Sequence, residues 1–309
     1  MSWLALVALL FLLFVLLAET AAHVHRTTAS TAAPRCATIC CPGGGVYFWW
    51  QIGAMHELLS MYDLPDDVKL SGASAGALAC VFGQCRVDPG AAHRVAFALA
   101  DEAGCLRNPL GLCGKWGRLV HAWLDELLPD DAADRCSGRC RLVVTRFAPL
   151  PQPAGLTAFA RRDELINALM ASTHIPFFMD GRPTSRHVRG AADGGVLAWL
   201  GLTSSLALLC PEASDRPAAI VIDHKRDAPF RAACRARGWS ALSTRGTEEF
   251  ASFGAEWVRR EAGRGADGHL APLAPYRRPY VRALGGAVAA PPRAGGGARP
   301  RRSPSRRNK

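Results

Sequence analysis

Gly72-Ala73-Ser74-Ala75-Gly76 sets a serine among small residues in a G-x-S-x-G run. In a nucleophile elbow of this pattern a strand ends, the chain turns sharply, a helix begins, and the hydroxyl is left at the apex. Backbone approaches backbone closely at such a turn, so the flanking positions must be small. The context agrees, since Val68-Lys69-Leu70 reads as a strand end and Ala75 to Gln84 as a helix of small residues. The same pentapeptide also suits a purely structural turn. It acquires chemistry only with partners, because a serine hydroxyl is a weak nucleophile until a base takes its proton.

One partner lies downstream. Ala191-Ala192-Asp193-Gly194-Gly195-Val196 puts a carboxylate beside two glycines that permit a tight turn and close backbone approach. An Asp-Gly pair is more often only a turn. Within hydrogen-bond reach of Ser74, however, Asp193 is a sufficient base. The other partner lies upstream, where the strand-like run Ala37-Thr38-Ile39-Cys40-Cys41 is followed by Pro42 and Gly43-Gly44-Gly45, and then by a helix-period run from Tyr47 to Leu58. Glycines between a strand and a helix free backbone N–H groups to face an anion, helped by the helix N-terminus. In acyl transfer that anion is the oxygen of the tetrahedral intermediate, and one such donor is worth about 10²–10³ in rate. A nucleotide loop is the competing reading. The G-x-x-x-x-G-K-[ST] pattern is absent, and Phe48 occupies the place of the last glycine of G-x-G-x-x-G.

Taken in order, these segments resemble the patatin-like phospholipases, whose members carry a glycine-rich oxyanion loop, then G-x-S-x-G, then a D-G-G or D-G-A turn. The likeness extends toward the branch containing adipose triglyceride lipase and adiponutrin. It is carried by Gly72 through Leu78, by Trp123-Leu124 through Leu128-Pro129, by Ser137-Gly138-Arg139 and Thr145-Arg146, by Arg162 through Leu169, and by Ala171-Ser172-Thr173-His174-Ile175-Pro176-Phe177. It covers roughly Cys36 to Cys210. The resemblance implies a three-layer α/β/α fold with a mostly parallel central sheet. It also implies a Ser-Asp dyad with Ser74 as nucleophile and Asp193 as base, an oxyanion hole at Gly43, Gly44 and Gly45, and motif glycines at Gly72, Gly76, Gly194 and Gly195. The implied activity is hydrolysis of fatty-acyl esters of glycerolipids, as a triacylglycerol lipase or phospholipase, through an acyl-enzyme and with no metal or organic cofactor.

One departure stands out. Many members continue G-G-G-x-R/K-G, whereas here the glycines run into Val46-Tyr47-Phe48-Trp49-Trp50-Gln51-Ile52-Gly53 with no basic residue. Tighter packing under the loop and a more apolar mouth for acyl chains are the alternatives. Two other readings stay open. An ordinary α/β-hydrolase orders its triad Ser, Asp, His, which Ser74 and Asp193 with His224 or His269 satisfy formally. A catalytically silent module that binds lipid or a lipid-droplet partner is the other.

The elements that must position these residues follow from pattern. Strand-like runs at 36–41, 68–71, 140–146, 205–210 and 218–223 alternate with helical ones near 46–61, 75–84, 90–103, 114–128 and 161–172. Such alternation favours a mostly parallel sheet covered on both faces. Thr247-Glu248-Glu249 opens a further helix with a capping residue and an acidic first turn, and Phe250, Phe253, Trp257 and Val258 share one of its faces. At 309 residues and 49% hydrophobic composition the chain has material for one large core.

Four segments are expected: residues 1–22 as signal peptide or signal anchor, 23–35 as linker, 36–282 as catalytic domain, and 283–309 as a disordered basic tail. Residues 3–18 are unbroken apolar, and small residues suited to cleavage follow. The expected location is the secretory-pathway membrane or a lipid droplet, with secretion or a two-part plastid address as alternatives. Eleven cysteines, an odd number, include the adjoining Cys40 and Cys41 in a strand and Cys80 on the elbow helix. They read as small core residues, with Cys105–Cys113 or Cys136–Cys140 as pairs for a lumenal domain, and their spacing does not suit zinc. The tail holds six Arg and one Lys, which lowers the formal charge from +11 by seven to +4 when it is set aside. Anionic lipid headgroups are its expected target. Nucleic acid is not expected, for want of an aromatic platform. The expected partners are a glycerolipid substrate and a membrane or lipid-droplet surface, with any protein co-activator unidentified.

Overall fold

Thr38–Cys41 (TICC) and Cys140–Arg146 are short and rich in β-branched and small apolar residues, the composition of strands buried on both faces. In the computed structural model, which describes residues 38–105, 112–147, 150–212, 218–239 and 246–279, they lie in one sheet. Its strands are β1 (Thr38–Cys41), β2 (Lys69–Ala73), β3 (Cys140–Arg146), β4 (Gln152–Leu156), β5 (Ala191–Asp193) and β6 (Ile220–Val221). The order is β4-β3-β2-β1-β6, with β5 also paired to β3. β1, β2, β3 and β6 run parallel, while β4 and β5 pair antiparallel with β3.

Helices α1 (Phe48–Met61), α2 (Ala75–Gln84), α3 (Pro89–Glu102), α4 (Trp116–Leu127), α5 (Ala132–Cys136), α6 (Arg162–Ser172), α7 (Val196–Trp199), α8 (Ser205–Leu209), α9 (Ala228–Arg237) and α10 (Thr247–Gly263) connect and cover the strands. Successive strand residues point to opposite faces. Ile39, Cys41, Leu70, Leu142 and Ile220 therefore enter the main core beside Trp50, Phe82 and Trp257, while Cys40, Ala73 and Val143 meet Leu209 and Cys210 on the other face. Layering of helices on both sides of a mostly parallel sheet is the expected fold class.

The run at 205–210 departs from expectation, since it forms α8 and not a strand. Ser204 caps it, its hydroxyl accepting from the Ala207 N–H at 3.1 Å, and Leu206 and Leu209 then cover the second face. A five-residue apolar run satisfies either reading, and the cap settles it. β4 and β5 carry no alternating pattern of their own, and they form because β3 offers them an edge.

The expected helix at Thr247 is present, with Phe250, Trp257 and Val258 buried, but its cap differs. Gly246, at φ 76°, holds the N-cap position, and the Thr247 hydroxyl instead lies 3.1 Å from His93 Nε2. α10 presses against α1 through facing glycines: a Cβ on Gly53 would fall 2.0 Å from the Ala251 carbonyl oxygen, and one on Gly254 2.0 Å from that of Trp50. Trp50 Nε1 also donates to Asp227 at 2.9 Å, tying α1 to the start of α9.

The chain divides into two units, Met1–Arg278 and Pro279–Lys309. The expected segments 1–22, 23–35 and 283–309 lie outside the described residues, as does Cys36. The ten described cysteines are free, and Cys85 and Cys136 bring their sulfurs to 3.8 Å, a neighbourhood that sequence spacing does not reveal. No helix of the described residues is long and apolar enough to cross a membrane.

Candidate active site

Between β2 and α2 the chain reverses at Ser74, which takes φ 54° and ψ −127°. A residue with a Cβ avoids positive φ, and such strain persists only where surrounding structure enforces it. Here the enforcement is steric. A Cβ on Gly76 would fall 1.9 Å from the Cys41 carbonyl oxygen, and one on Gly72 would meet Gly76 at 2.4 Å. The Ala77 N–H donates to the Ser74 carbonyl at 2.9 Å and opens the helix.

Asp193 reaches the same place along β3. Ala73 pairs with Val143, and Asp193 pairs with the next residue, Val144. β4 holds the opposite edge of both valines, so β5 continues the line of β2 and brings Asp193 up against the elbow. The turn after it is equally tight, since a Cβ on Gly194 would fall 2.1 Å from the Val143 carbonyl oxygen. The Asp193 backbone is fixed on both sides: its N–H donates to His174 O at 2.9 Å, and its carbonyl accepts from Thr145 Oγ1 at 2.9 Å.

The Asp193 side chain is fully buried. Oδ1 accepts from the Gly195 N–H at 2.7 Å, while Oδ2 is buried with no well-formed hydrogen bond. Burial raises its pKa from 3.8 to about 7, with the Ser74 hydroxyl and the Gly195 N–H pulling in the opposite direction. Ser74 thus lies near enough to act on this carboxylate without being aligned on it. A carboxyl poised near neutrality is suited to accept and return a proton.

Gly43 follows β1 and lies across from the elbow, its Cβ position 3.3 Å from the Ser74 Cβ and 3.9 Å from Oγ. The amides of Gly43 and Gly44 have no protein acceptor among the described residues. Gly45 sits at φ 54°, and a short helical turn follows. Gln51 holds the loop from below, donating through Nε2 to Pro42 O at 2.7 Å.

The missing basic residue is explained by packing. Tyr47 stacks on His224 with ring centroids 4.0 Å apart, and Phe48, Trp49 and Trp50 are buried. The aromatic run therefore fills the space under the loop and does not line a mouth. His224 also answers the triad reading. Its Nδ1 lies 3.3 Å from Asp223, and burial lowers its pKa to about 4, so the ring is neutral. His269 lies against Trp257, Arg226 and Glu261. Neither histidine has Asp193 as a partner.

Sequence reasoning gave Ser172 no role. Its hydroxyl accepts from the Ser74 N–H at 3.1 Å and donates to Val143 O at 2.6 Å, while its carbonyl accepts from the Gly194 N–H at 3.1 Å. It lies at the end of an apolar helix, and no spacing rule marks it. Among the described residues no group of three or more His, Cys, Asp or Glu side chains is arranged to hold a metal ion.

No curated protein matches the sequence. The family model for patatin-like phospholipase matches residues 39–203, a span that takes in Gly43–Gly45, Ser74 and Asp193. That match covers more than half of the 309 residues, and the chain belongs to the patatin-like phospholipase family.

Proposed function

We propose that the protein is a lipid acyl hydrolase that cleaves fatty-acyl esters of glycerolipids through a Ser74–Asp193 dyad. The observation that carries the reading is Asp193 itself, a fully buried carboxylate with a pKa raised to about 7, delivered beside the elbow serine by its pairing with Val144. Ser74 Oγ attacks the ester carbonyl and passes its proton to Asp193 Oδ2. The carbonyl oxygen becomes an oxyanion facing the amides of Gly43–Gly45. As the intermediate collapses, Asp193 returns the proton to the departing alcohol and an acyl-Ser74 ester remains. Water then gives a proton to Asp193 and attacks the acyl carbon, and the fatty acid leaves as Ser74 recovers its hydrogen.

The likeness to the triglyceride-lipase branch favours neutral glycerolipid, with phospholipid and galactolipid as the competing substrates. Residues 3–18 direct the chain to the secretory membrane system or a lipid droplet, and the basic tail adds attraction to anionic headgroups, with Ser303 and Ser305 as phosphorylation switches on it.

The test is hydrolysis of triacylglycerol, phospholipid and galactolipid by the wild type and by Ser74→Ala, Asp193→Asn and His224→Ala. Loss in the first two variants alone is the expected result. Equal loss in His224→Ala would overturn the dyad in favour of a triad. A wild type inert on every lipid would point to a silent lipid-binding module.

A further inference from the structure

Large apolar side chains are buried or half-buried throughout the described residues except for Phe147, Leu150, Phe177, Leu200 and Leu202, which are exposed. The leucines are the most open, at 73% for Leu150, 60% for Leu200 and 67% for Leu202. Isolated exposed leucines need no explanation. These, however, fall on segments that all leave the same end of the sheet. Phe147 and Leu150 flank the Arg146–Gln152 pair on its outer side, at the C-terminal end of β3. The segment holding Phe177 is anchored there at both ends, by Asp193 N–H to His174 O and by Phe147 N–H to Gly190 O. Leu200 and Leu202 follow α7, which starts from Gly195 beside Asp193. This is the end at which Ser74 sits.

The same segments carry Arg146, Arg182, Arg186 and Arg189. Among the described residues none of these four forms an ion pair with a carboxylate, unlike Arg135, Arg162, Arg237, Arg259 and Arg260, although other arginines such as Arg94, Arg118 and Arg231 are unpaired as well. The one exposed-side acid among them, Asp180, is taken up by the Arg182 N–H and lies 4.0 Å from His174. Apolar tips set among arginines that lack counter-charges match an anionic phospholipid surface, in which acyl tails lie beneath phosphate.

We propose that Leu150 and Arg146 beside the β3–β4 end, the 175–190 segment and the turn after α7 form the surface through which the enzyme docks on an anionic phospholipid membrane. Leu150, Leu200 and Leu202 enter the acyl boundary, and Arg146, Arg182 and Arg189 meet the headgroups. The inference rests on the lipid acyl hydrolase reading and adds to it the orientation in which the site meets its substrate.

The experiment is co-sedimentation of the full chain with vesicles of phosphatidylcholine, with and without phosphatidylglycerol. It compares the wild type with Leu150→Ser/Leu200→Ser/Leu202→Ser and with Arg146→Gln/Arg182→Gln/Arg189→Gln. Circular dichroism melts and hydrolysis of a water-soluble short-chain ester run alongside. The leucine variant is expected to partition at least about tenfold more weakly into both vesicle types, consistent with three lost apolar insertions. The arginine variant should lose several-fold of the preference for phosphatidylglycerol, the remainder being carried by the basic tail. Both should melt and cleave the soluble ester as the wild type does. Wild-type binding by both triple variants overturns the docking surface. Should a triple variant melt early, the single changes Leu150→Ser and Leu202→Ser decide in its place. Vesicle binding that follows these residues in a protein unable to cleave the soluble ester would retain the surface and reject the hydrolase reading.

Discussion

The backbone N–H of Ser74 ends on the hydroxyl of Ser172, 3.1 Å away, and that hydroxyl in turn donates to Val143 O at 2.6 Å. One buried side chain thus links the elbow to the strand that delivers Asp193, and its carbonyl holds the Gly194 N–H as well. Ser172→Ala leaves the Ser74 N–H and the Val143 carbonyl without that partner in a dry setting. A loss of about 2 kcal/mol in stability is expected by urea denaturation. A fall of about tenfold in kcat with little change in KM should accompany it, because a displaced nucleophile loses transition-state alignment before it loses binding. Wild-type kcat in Ser172→Ala would remove Ser172 from the positioning of Ser74.

Backbone strain at Ser74 gives a second prediction. With φ at 54°, any residue that carries a Cβ is held in an unfavourable conformation, and glycine alone is relieved. Ser74→Gly should therefore be more stable than Ser74→Ala by about 1 kcal/mol, with both inactive. Thermal melts of the two variants side by side make the comparison, and equal melting temperatures would mean that the elbow stores no strain.

Asp193 couples activity and stability to pH in opposite senses. As the proposed base it must be ionised, so kcat/KM should rise as pH passes through about 7. Stability runs the other way. The folded value lies above the unfolded 3.8, so the folded carboxyl keeps a proton that the unfolded chain releases. Its stabilising contribution is complete below the unfolded value and is lost as pH rises through the folded one. Asp193→Asn, which cannot ionise, should be more stable than the wild type at pH 8 by on the order of 4 kcal/mol, with the gap closing toward pH 4. A gap that does not vary with pH would show that Asp193 does not titrate near 7.

Close approach, not conformation, sets the cost at Gly76. Its absent Cβ would stand 1.9 Å from the Cys41 carbonyl oxygen, a backbone atom that cannot step aside. Gly76→Ala should destabilise by more than about 3 kcal/mol or fail to fold. At Gly45 nothing lies within 4 Å, and only φ 54° opposes a side chain, so Gly45→Ala should cost about 1 kcal/mol. Soluble yield and melting temperature separate the two, and similar values for both would contradict the packing of the elbow on β1.

What the sequence settled was local. Gly43–Gly45, the run from Gly72 to Gly76, and Asp193-Gly194-Gly195 each announce their backbone geometry in their own residues, because small side chains are a contiguous requirement of tight turns. The parallel strands around them were legible as short apolar runs alternating with helical ones. Everything that joined these segments depended on contacts far apart in the chain. β5 is three residues long and has no pattern of its own, and its place is fixed by its pairing with β3. The run at 205–210 is apolar in either form, and the cap at Ser204 together with the apolar second face of the sheet that it covers made it a helix. Ser172 looks like any polar residue at a helix end until its partners at Ser74 and Val143 are seen. The pKa of Asp193 rises because the fold removes it from water, and burial is a property of the assembled chain. The sequence held the groups proposed to do the chemistry, and only the tertiary structure brought them together and set the charge of Asp193.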